Sequence, residues 1–339
     1  MKKNISIDVI IPTYNGLPWL KATIDSVLAQ THKDLTLYIV DDGSADKTKE
    51  YVNSLKDKRV VNIYQKNNGQ SSARNLGVSK SSSPFIAFLD SDDIWYPTKL
   101  EKQLAIMMAK ADVGLVYGHH YLIDEEDVIQ GNLRLWKRGN ILDDLCGGNI
   151  IAGSASMVLV RREILEKAGP FREDFVNGED WELWIRIAML CEIDFVPEIM
   201  AAIRQRKNSE QVNTKKMADG LVYAHGVMTN TLTLTKTQRI SISTYCLFNA
   251  SASYLSIGLR PQARRTMIKL FKENPRLILH WDDWKIHYAV GLFSRVVIGN
   301  SLFDIMMRVF RKAKRGARKV INLIYRIVRR CLKFLKHRK

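Results

Sequence analysis

Over the first 110 positions, short dense runs of apolar residues alternate with longer stretches at helical spacing, a pattern that predicts an α/β sheet. Ile5–Ile11 is a β-branched run closed by Pro12-Thr13-Tyr14-Asn15-Gly16, a strand entering a turn. From Pro18 to Gln30, Leu20, Ile24, Val27 and Leu28 recur at helical intervals. Further strands are expected at Leu35–Val40, Val60–Tyr64 and Pro84–Leu89. Strand, helix, strand at this spacing implies right-handed crossovers and a mostly parallel sheet. Pro84–Leu89, rich in Phe, Ile and Leu, reads as its centre with both faces covered. Each strand ends in a polar cluster, so polar loops gather along the carboxyl edge, where open sheets of this kind hold their ligands.

Beyond residue 150 the spacing changes. Gly153–Val160 reads as a small-residue loop entering a strand, and Arg162–Ala168 as a short helix stopped by Gly169-Pro170. Trp181, Trp184, Ile185 and Ala188 then share one face of an amphipathic helix. Glu179 and Asp180 fall at its N-terminus, where the dipole favours ionised carboxylates; a bare pair of capping acids is the simpler reading of the two residues alone. A strand at Ile199–Ile203 leads into Arg204-Gln205-Arg206-Lys207. Residues 217–275 lack strand alternation and read as helical hairpins, with a break near Thr235-Lys236-Thr237. In the last segment Ile321, Ile324, Tyr325, Val328, Leu332 and Leu335 recur every three or four residues, while Lys319, Arg326, Arg329, Arg330, Lys333 and Lys336 fill the positions between.

Charge sharpens the meaning of that last segment. The chain of 339 residues carries a formal +17, of which fourteen Lys and Arg between Arg308 and Lys339 account for all but +3. A basic amphipathic helix of this kind suits an anionic membrane surface, each cation near the surface contributing roughly 1 kcal/mol. Counterion release serves nucleic acid equally well, but the continuous apolar stripe makes nucleic acid the disfavoured partner. The four cysteines are scattered, with no C-x-x-C pair, so neither a disulfide framework nor a zinc site is expected. Met1-Lys2-Lys3-Asn4 leads straight into a strand rather than a signal peptide, and no run of eighteen uncharged apolar residues occurs. The expectation is a cytoplasmic protein, peripheral on the inner face of the cell membrane.

Candidate chemistry concentrates at Asp90-Ser91-Asp92-Asp93, directly after the apolar Phe85–Leu89 run. Like charges at that range raise each other's pKa unless a cation neutralises them, and hard oxygen ligands suit Mg2+ or Mn2+. The chain has no G-x-x-x-x-G-K-[ST] and no G-x-G-x-x-G after its first strand, which excludes the P-loop and dinucleotide fingerprints. An Asp after the second strand can accept from a base N–H, Tyr14 can stack on a base, and Arg74 can fork onto a diphosphate.

Four motifs in order, Ile10-Ile11-Pro12-Thr13-Tyr14-Asn15-Gly16, Asp41-Asp42-Gly43-Ser44-Ala45-Asp46, Ala73-Arg74-Asn75-x-Gly77 and Leu89-Asp90-Ser91-Asp92-Asp93, resemble those of the inverting family 2 glycosyltransferases. The resemblance runs from about Ile5 to about Ser209. It implies the α/β GT-A nucleotide-diphospho-sugar transferase fold and inverting transfer of a sugar, from a UDP-sugar by family frequency, to a glycan or lipid-linked acceptor in cell-surface polysaccharide synthesis. It implies Mn2+ or Mg2+ on the diphosphate, with Asp90 and Asp92 as the D-x-D element. Asp92 becomes the expected metal ligand, Asp90 a ribose or second metal contact, and Asp42 the base contact. Pro12, Tyr14, Arg74 and Ser91 border the nucleotide. Asp180, with Glu179 second, takes the base position, because an inverting displacement needs a carboxylate to accept the acceptor's proton. Asp93 is expected to cap the helix at Pro97. Where relatives place a histidine near the metal this chain has Arg206, which can meet the diphosphate as a fixed charge. The expected organisation is a transferase domain over 1–213, a helical region of unassigned role over 214–303 and a membrane-associating tail over 304–339. A catalytically silent sugar-nucleotide or glycan-binding protein of the same fold is the alternative; the intact Asp90, Asp92, Asp180 and Arg74 argue against it.

Overall fold

The computed structural model describes residues 5–134, 136–151, 153, 155–206 and 214–274. The chain divides into two compact units, Met1–Ser209 and Glu210–Lys339. The first begins β1 (Ile7–Thr13), α1 (Leu17–Leu28), β2 (Leu35–Asp41), α2 (Thr48–Ser54), β3 (Val60–Tyr64), α3 (Gln70–Lys80) and β4 (Phe85–Phe88). It continues with β5 (Ile94–Trp95), α4 (Lys99–Ala109), β6 (Val113–Ile123), β7 (Ile129–Leu133), α5 (Leu142–Cys146), β8 (Leu159–Arg161), α6 (Arg162–Ala168), α7 (Glu179–Ala188) and β9 (Glu192–Arg204).

One nine-stranded sheet runs β3-β2-β1-β4-β8-β6-β9-β5, with β7 added to β6. β1, β2, β3 and β4 pair in parallel through their helical crossovers. Past β4 the sheet is mixed: β8 runs antiparallel to both β4 and β6, β5 to β9 and β7 to β6, while β6 and β9 are parallel. The parallel sheet anticipated from the sequence therefore holds for the first four strands, and β4 is its border rather than its centre. The second half departs because its strands are reached by direct turns and short excursions, which do not impose the parallel sense that a helical crossover does. β1 and β4 are buried on both faces, as the unbroken apolar runs require.

From β1 the chain moves outward to β2 and β3, then returns through α3 to lay β4 on the other side of β1. That reversal opens a crevice between the carboxyl ends of β1 and β4, the usual place for a ligand in an open α/β sheet. Sequence spacing had not marked β5, β6 or β7, and β9 starts at Glu192, seven residues ahead of the expected strand. Ile193, Phe195 and Val196 carry the burial in that added stretch.

The second unit contributes α8 (Thr214–Thr231), α9 (Lys236–Ser256) and α10 (Arg260–Glu273). α9 starts where the break at Thr235 was read: the Thr235 side chain accepts from the Gln238 N–H, and Gln238 accepts in return from the Thr235 N–H. Ala218, Ala250, Tyr254 and Ala263 form its packed centre. Among the described residues no helix is long and apolar enough to cross a membrane. The basic tail over 304–339 lies outside the described residues.

Candidate active site

The turn after β1 and the turn after β2 are stitched to each other. Asn15 takes a left-handed φ of 50° and its Oδ1 accepts from the N–H of Ala45 at 2.8 Å, while its own N–H donates to Ser44 Oγ at 2.9 Å. Asn is among the few side-chain-bearing residues that adopt this conformation readily. Gly16 allows close approach to the turn after β4: a Cβ there would lie 2.3 Å from Thr13 Oγ1 and 3.2 Å from Ser91 Oγ. Pro12 is buried within β1, whereas Tyr14 stands more than half exposed at the crevice rim, free to stack. Asp42 is buried and already engaged, accepting from Gln65 Nε2 at 2.6 Å and from the N–H groups of Asn68 and Gly69 at 2.9 and 2.8 Å. It shapes the loop that starts α3, and a base N–H would share its carboxylate with those donors.

Arg74, on α3, is the hub of the crevice. Only 1% exposed, it donates from Nη2 to Asp90 Oδ1 at 2.7 Å and from Nη1 to Glu179 Oε1 at 3.1 Å, and its guanidinium lies 5.1 Å from the Phe171 ring. Burial opposes the charge, but Asp90 and Glu179, with Asp180 behind them, outweigh it and hold the Arg74 pKa above its ordinary value. The next residue, Asn75, donates to the Phe171 carbonyl at 2.9 Å and accepts from the Phe171 N–H at 2.9 Å. Gly77 lets α3 pack onto the sheet, since a Cβ there would sit 2.5 Å from Ile10 Cγ2. The Ala-Arg-Asn-x-Gly motif thus joins three separate pieces: the end of β4, the loop before α7 and the face of β1.

The acidic turn after β4 splits its carboxylates. Asp90 faces Arg74 and also accepts from Gln70 Nε2 at 2.9 Å. Asp92 pairs with Arg206, Nε to Oδ2 at 2.8 Å. Burial raises the Asp92 carboxyl above its ordinary pKa, Arg206 opposes that, and Asp90 adds to the rise. Asp93 does not cap the helix at Pro97. α4 begins at Lys99, and Asp93 points inward, 2% exposed, accepting from Ser156 Oγ at 2.5 Å and from the Arg204 N–H at 2.9 Å. β5 intervenes between the turn and α4 and carries Asp93 away from that helix end, so tertiary partners claim the carboxylate. Burial, then Asp92 and Asp90, push its pKa well up. Ser156 also accepts from the Asp90 N–H at 3.0 Å, so one hydroxyl fixes both ends of the turn.

Asp180 opens α7 opposite that turn. Its Oδ1 accepts from the Trp181 N–H at 2.6 Å and its Oδ2 from Asn149 Nδ2 at 3.4 Å. Burial first, then Glu179 beside it, push its pKa up to about 7 against the pull of Arg74. A carboxylate poised there can take and return a proton near neutral pH.

Asp90, Asp92, Arg74, Glu179, Asp180 and Arg206 therefore border one crevice. Reading the sequence missed Gln70, Asn75, Asn149, Ser156, Phe171 and Arg204, which hold those groups in place. Their only local signal is that Asn75 stands inside a recognised motif; the others are polar or aromatic residues whose partners lie 20 to 112 positions away. Among the described residues no three His, Cys, Asp or Glu side chains converge as a ready metal cluster. Asp92 nonetheless fits a Mg2+ or Mn2+ site of the kind that takes one or two carboxylates and completes its shell with substrate phosphate oxygens.

A carboxyl-edge crevice with a divided acidic turn, a buried arginine and a raised-pKa aspartate defines this as a GT-A type α/β protein. The match to the family model described as "Glycosyl transferase family 2" covers residues 8–169, and the chain belongs to that family. It is 36% identical over 185 residues to the Escherichia coli UDP-Glc:alpha-D-GlcNAc-diphosphoundecaprenol beta-1,3-glucosyltransferase WfgD, covering 53% of this chain and 69% of WfgD. It is also 33% identical over 239 residues to an uncharacterized glycosyltransferase of Rickettsia bellii, covering 69% of this chain but 34% of that protein. The match spans 34% to 44% of the length of the Rickettsia bellii, felis and conorii relatives. The crystal structure of S. aureus TarS 1-349 in complex with UDP-GlcNAc shares the fold, with a TM-score of 0.64 at 16% identity over 87% of this chain and 93% of that one.

Proposed function

We propose that this chain transfers a sugar from a nucleotide diphosphate sugar, a UDP-sugar first, to an acceptor hydroxyl with inversion at the anomeric carbon. The observation that carries this reading is Asp180, a carboxylate with a pKa of about 7, across the crevice from Arg74, Asp90 and Asp92. In this reading Asp180 takes the proton from the acceptor hydroxyl as its oxygen forms the new bond to the anomeric carbon. The bond from that carbon to the diphosphate oxygen breaks on the opposite face, and the electron pair leaves with the diphosphate. Arg74 keeps Glu179 and Asp90 apart and fixed; Asp90 contacts the ribose; Tyr14 and Asp42 border the base. A divalent cation, when bound at Asp92, offsets charge building on the leaving diphosphate.

The likeness to WfgD and to the TarS complex with UDP-GlcNAc supports a UDP-sugar donor and a diphosphate lipid-linked acceptor. The charge pattern of residues 304–339 supports association with the anionic inner face of a membrane. The test is turnover of UDP-glucose, UDP-GlcNAc and GDP-mannose with a polyprenyl diphosphate-linked sugar acceptor, product anomers being assigned by NMR. Transfer from a UDP-sugar with inversion, lost in Asp180→Asn, is the expected result; tight donor binding without transfer to any acceptor favours a binding protein instead.

A further inference from the structure

Two of the three carboxylates of the acidic turn have arginine counter-ions, and these differ in character. Asp90 is held by Arg74, which is buried, makes two ion pairs and packs on Phe171, so this partner is fixed. Asp92 is held by Arg206, whose side chain is 42% exposed. Arg206 reaches Asp92 through Nε, lies 5.3 Å from the Trp19 ring, and makes no other ion pair or hydrogen bond among the described residues. The backbone that presents it is anchored two residues earlier. Arg204 donates from Nε to the Asp92 carbonyl at 2.9 Å, from Nη1 to the Asp124 carbonyl at 2.7 Å and from Nη2 to Asp127 at 2.6 Å. An anchored backbone with a partly exposed guanidinium at its end is suited to exchanging partners.

We propose that Arg206 is a resident counter-ion of Asp92 which a divalent cation displaces, the released guanidinium then pairing with the donor's diphosphate. This rests on the nucleotide-sugar reading given above. The guanidinium brings a positive charge against Asp92 and occupies its Oδ2, so it competes with a second cation and the ion pair weakens binding of the cation alone. A diphosphate offers Arg206 a two-oxygen acceptor that matches its planar fork better than a single carboxylate oxygen does. Whatever draws Arg206 off Asp92 favours the cation, and by reciprocity the cation favours the nucleotide.

The experiment follows Mn2+ binding to the full chain by electron paramagnetic resonance and UDP binding by calorimetry, for wild type, Arg206→Gln and Asp92→Asn. Arg206→Gln is expected to bind Mn2+ without nucleotide about two- to fivefold more tightly than wild type, the range an exposed ion pair supplies. The same variant is expected to bind UDP in the presence of Mn2+ more weakly than wild type. Asp92→Asn is expected to weaken Mn2+ binding. Unchanged or weaker Mn2+ binding by Arg206→Gln overturns the proposal, as does full retention of UDP affinity. Normal Mn2+ binding by Asp92→Asn overturns it too, by placing the cation elsewhere. If wild type holds no Mn2+ even with UDP, the cation assigned to this site falls together with the proposal. If wild type binds both and Arg206→Gln matches it, the displacement alone falls.

Discussion

Asp180 owes its chemistry to neighbours brought together from three parts of the chain: Arg74 on α3, Asn149, and α7 itself with Glu179. Its raised pKa sets two expectations with opposite signs. As a proton acceptor it works only when ionised, so kcat/KM should fall tenfold per pH unit below about 7 and level off above it. The folded protein holds the Asp180 proton more tightly than the unfolded chain, so stability falls as pH rises from the ordinary carboxylate range to about 7 and changes no further above it. Asp180→Asn should therefore cut turnover by roughly 10²–10⁴ yet raise Tm at pH 8, a pairing that turnover assays and a melting curve on one sample can check. Arg74 behaves in the opposite way. Replacing it by Ala strands Asp90 and Glu179 without their cation, and breaking such a pair is expected to cost on the order of 3 kcal/mol in denaturant unfolding. At Asp93, Asn keeps one acceptor oxygen for the Arg204 N–H and can donate from its amide to Ser156 Oγ, while Leu leaves both partners unpaired, so Leu should be the worse substitution by about 1–3 kcal/mol.

Among the elements, α3 does the most to assemble the crevice. It presents Gln70 and Arg74 to the acidic turn and Asn75 to the loop before α7, and Gly77 lets it lie close to β1. Gly77→Val should force α3 outward, costing about 1–3 kcal/mol from overpacking and weakening nucleotide binding although position 77 faces the sheet. Calorimetry with UDP beside an unfolding curve separates the two effects. α7 plays the complementary part, turning Glu179 and Asp180 into the crevice while Trp181 and Trp184 sink into the core. Trp181 Nε1 donates to the Leu145 carbonyl at 2.8 Å, which ties the α5 end, and through the following loop Asn149, to the aspartate.

For the whole molecule, the first unit and the three described helices of the second have separate packed centres, and the basic charge gathers in a later segment of the sequence. Removing residues 304–339 should abolish co-sedimentation with anionic vesicles while donor turnover on a soluble acceptor survives. Equal sedimentation of the shortened chain would reject the tail as the attachment. Much of the α/β core was legible in the sequence because β1 and β4 are dense apolar runs buried on both faces, which leaves little else such runs can be, and the apolar-rich β2 and β3 recur at the same spacing. The order Asn15-Gly16, Asp41-Asp42, Arg74-Asn75, Asp90-x-Asp92 was legible too, since three of these motifs sit where a strand ends, while Arg74-Asn75 lies within α3 and was read from its motif. What the chain alone determined was that these polar clusters share one edge of a sheet. Which carboxylate meets which cation was decided only by tertiary structure. Asp93 looked like a cap until β5 and Arg204 turned it inward, β6 was hidden because its partners are far along the chain, and only the second half of β9 was read. Ion pairing depends on distances between residues tens to more than a hundred positions apart, and spacing along a sequence carries no such distance.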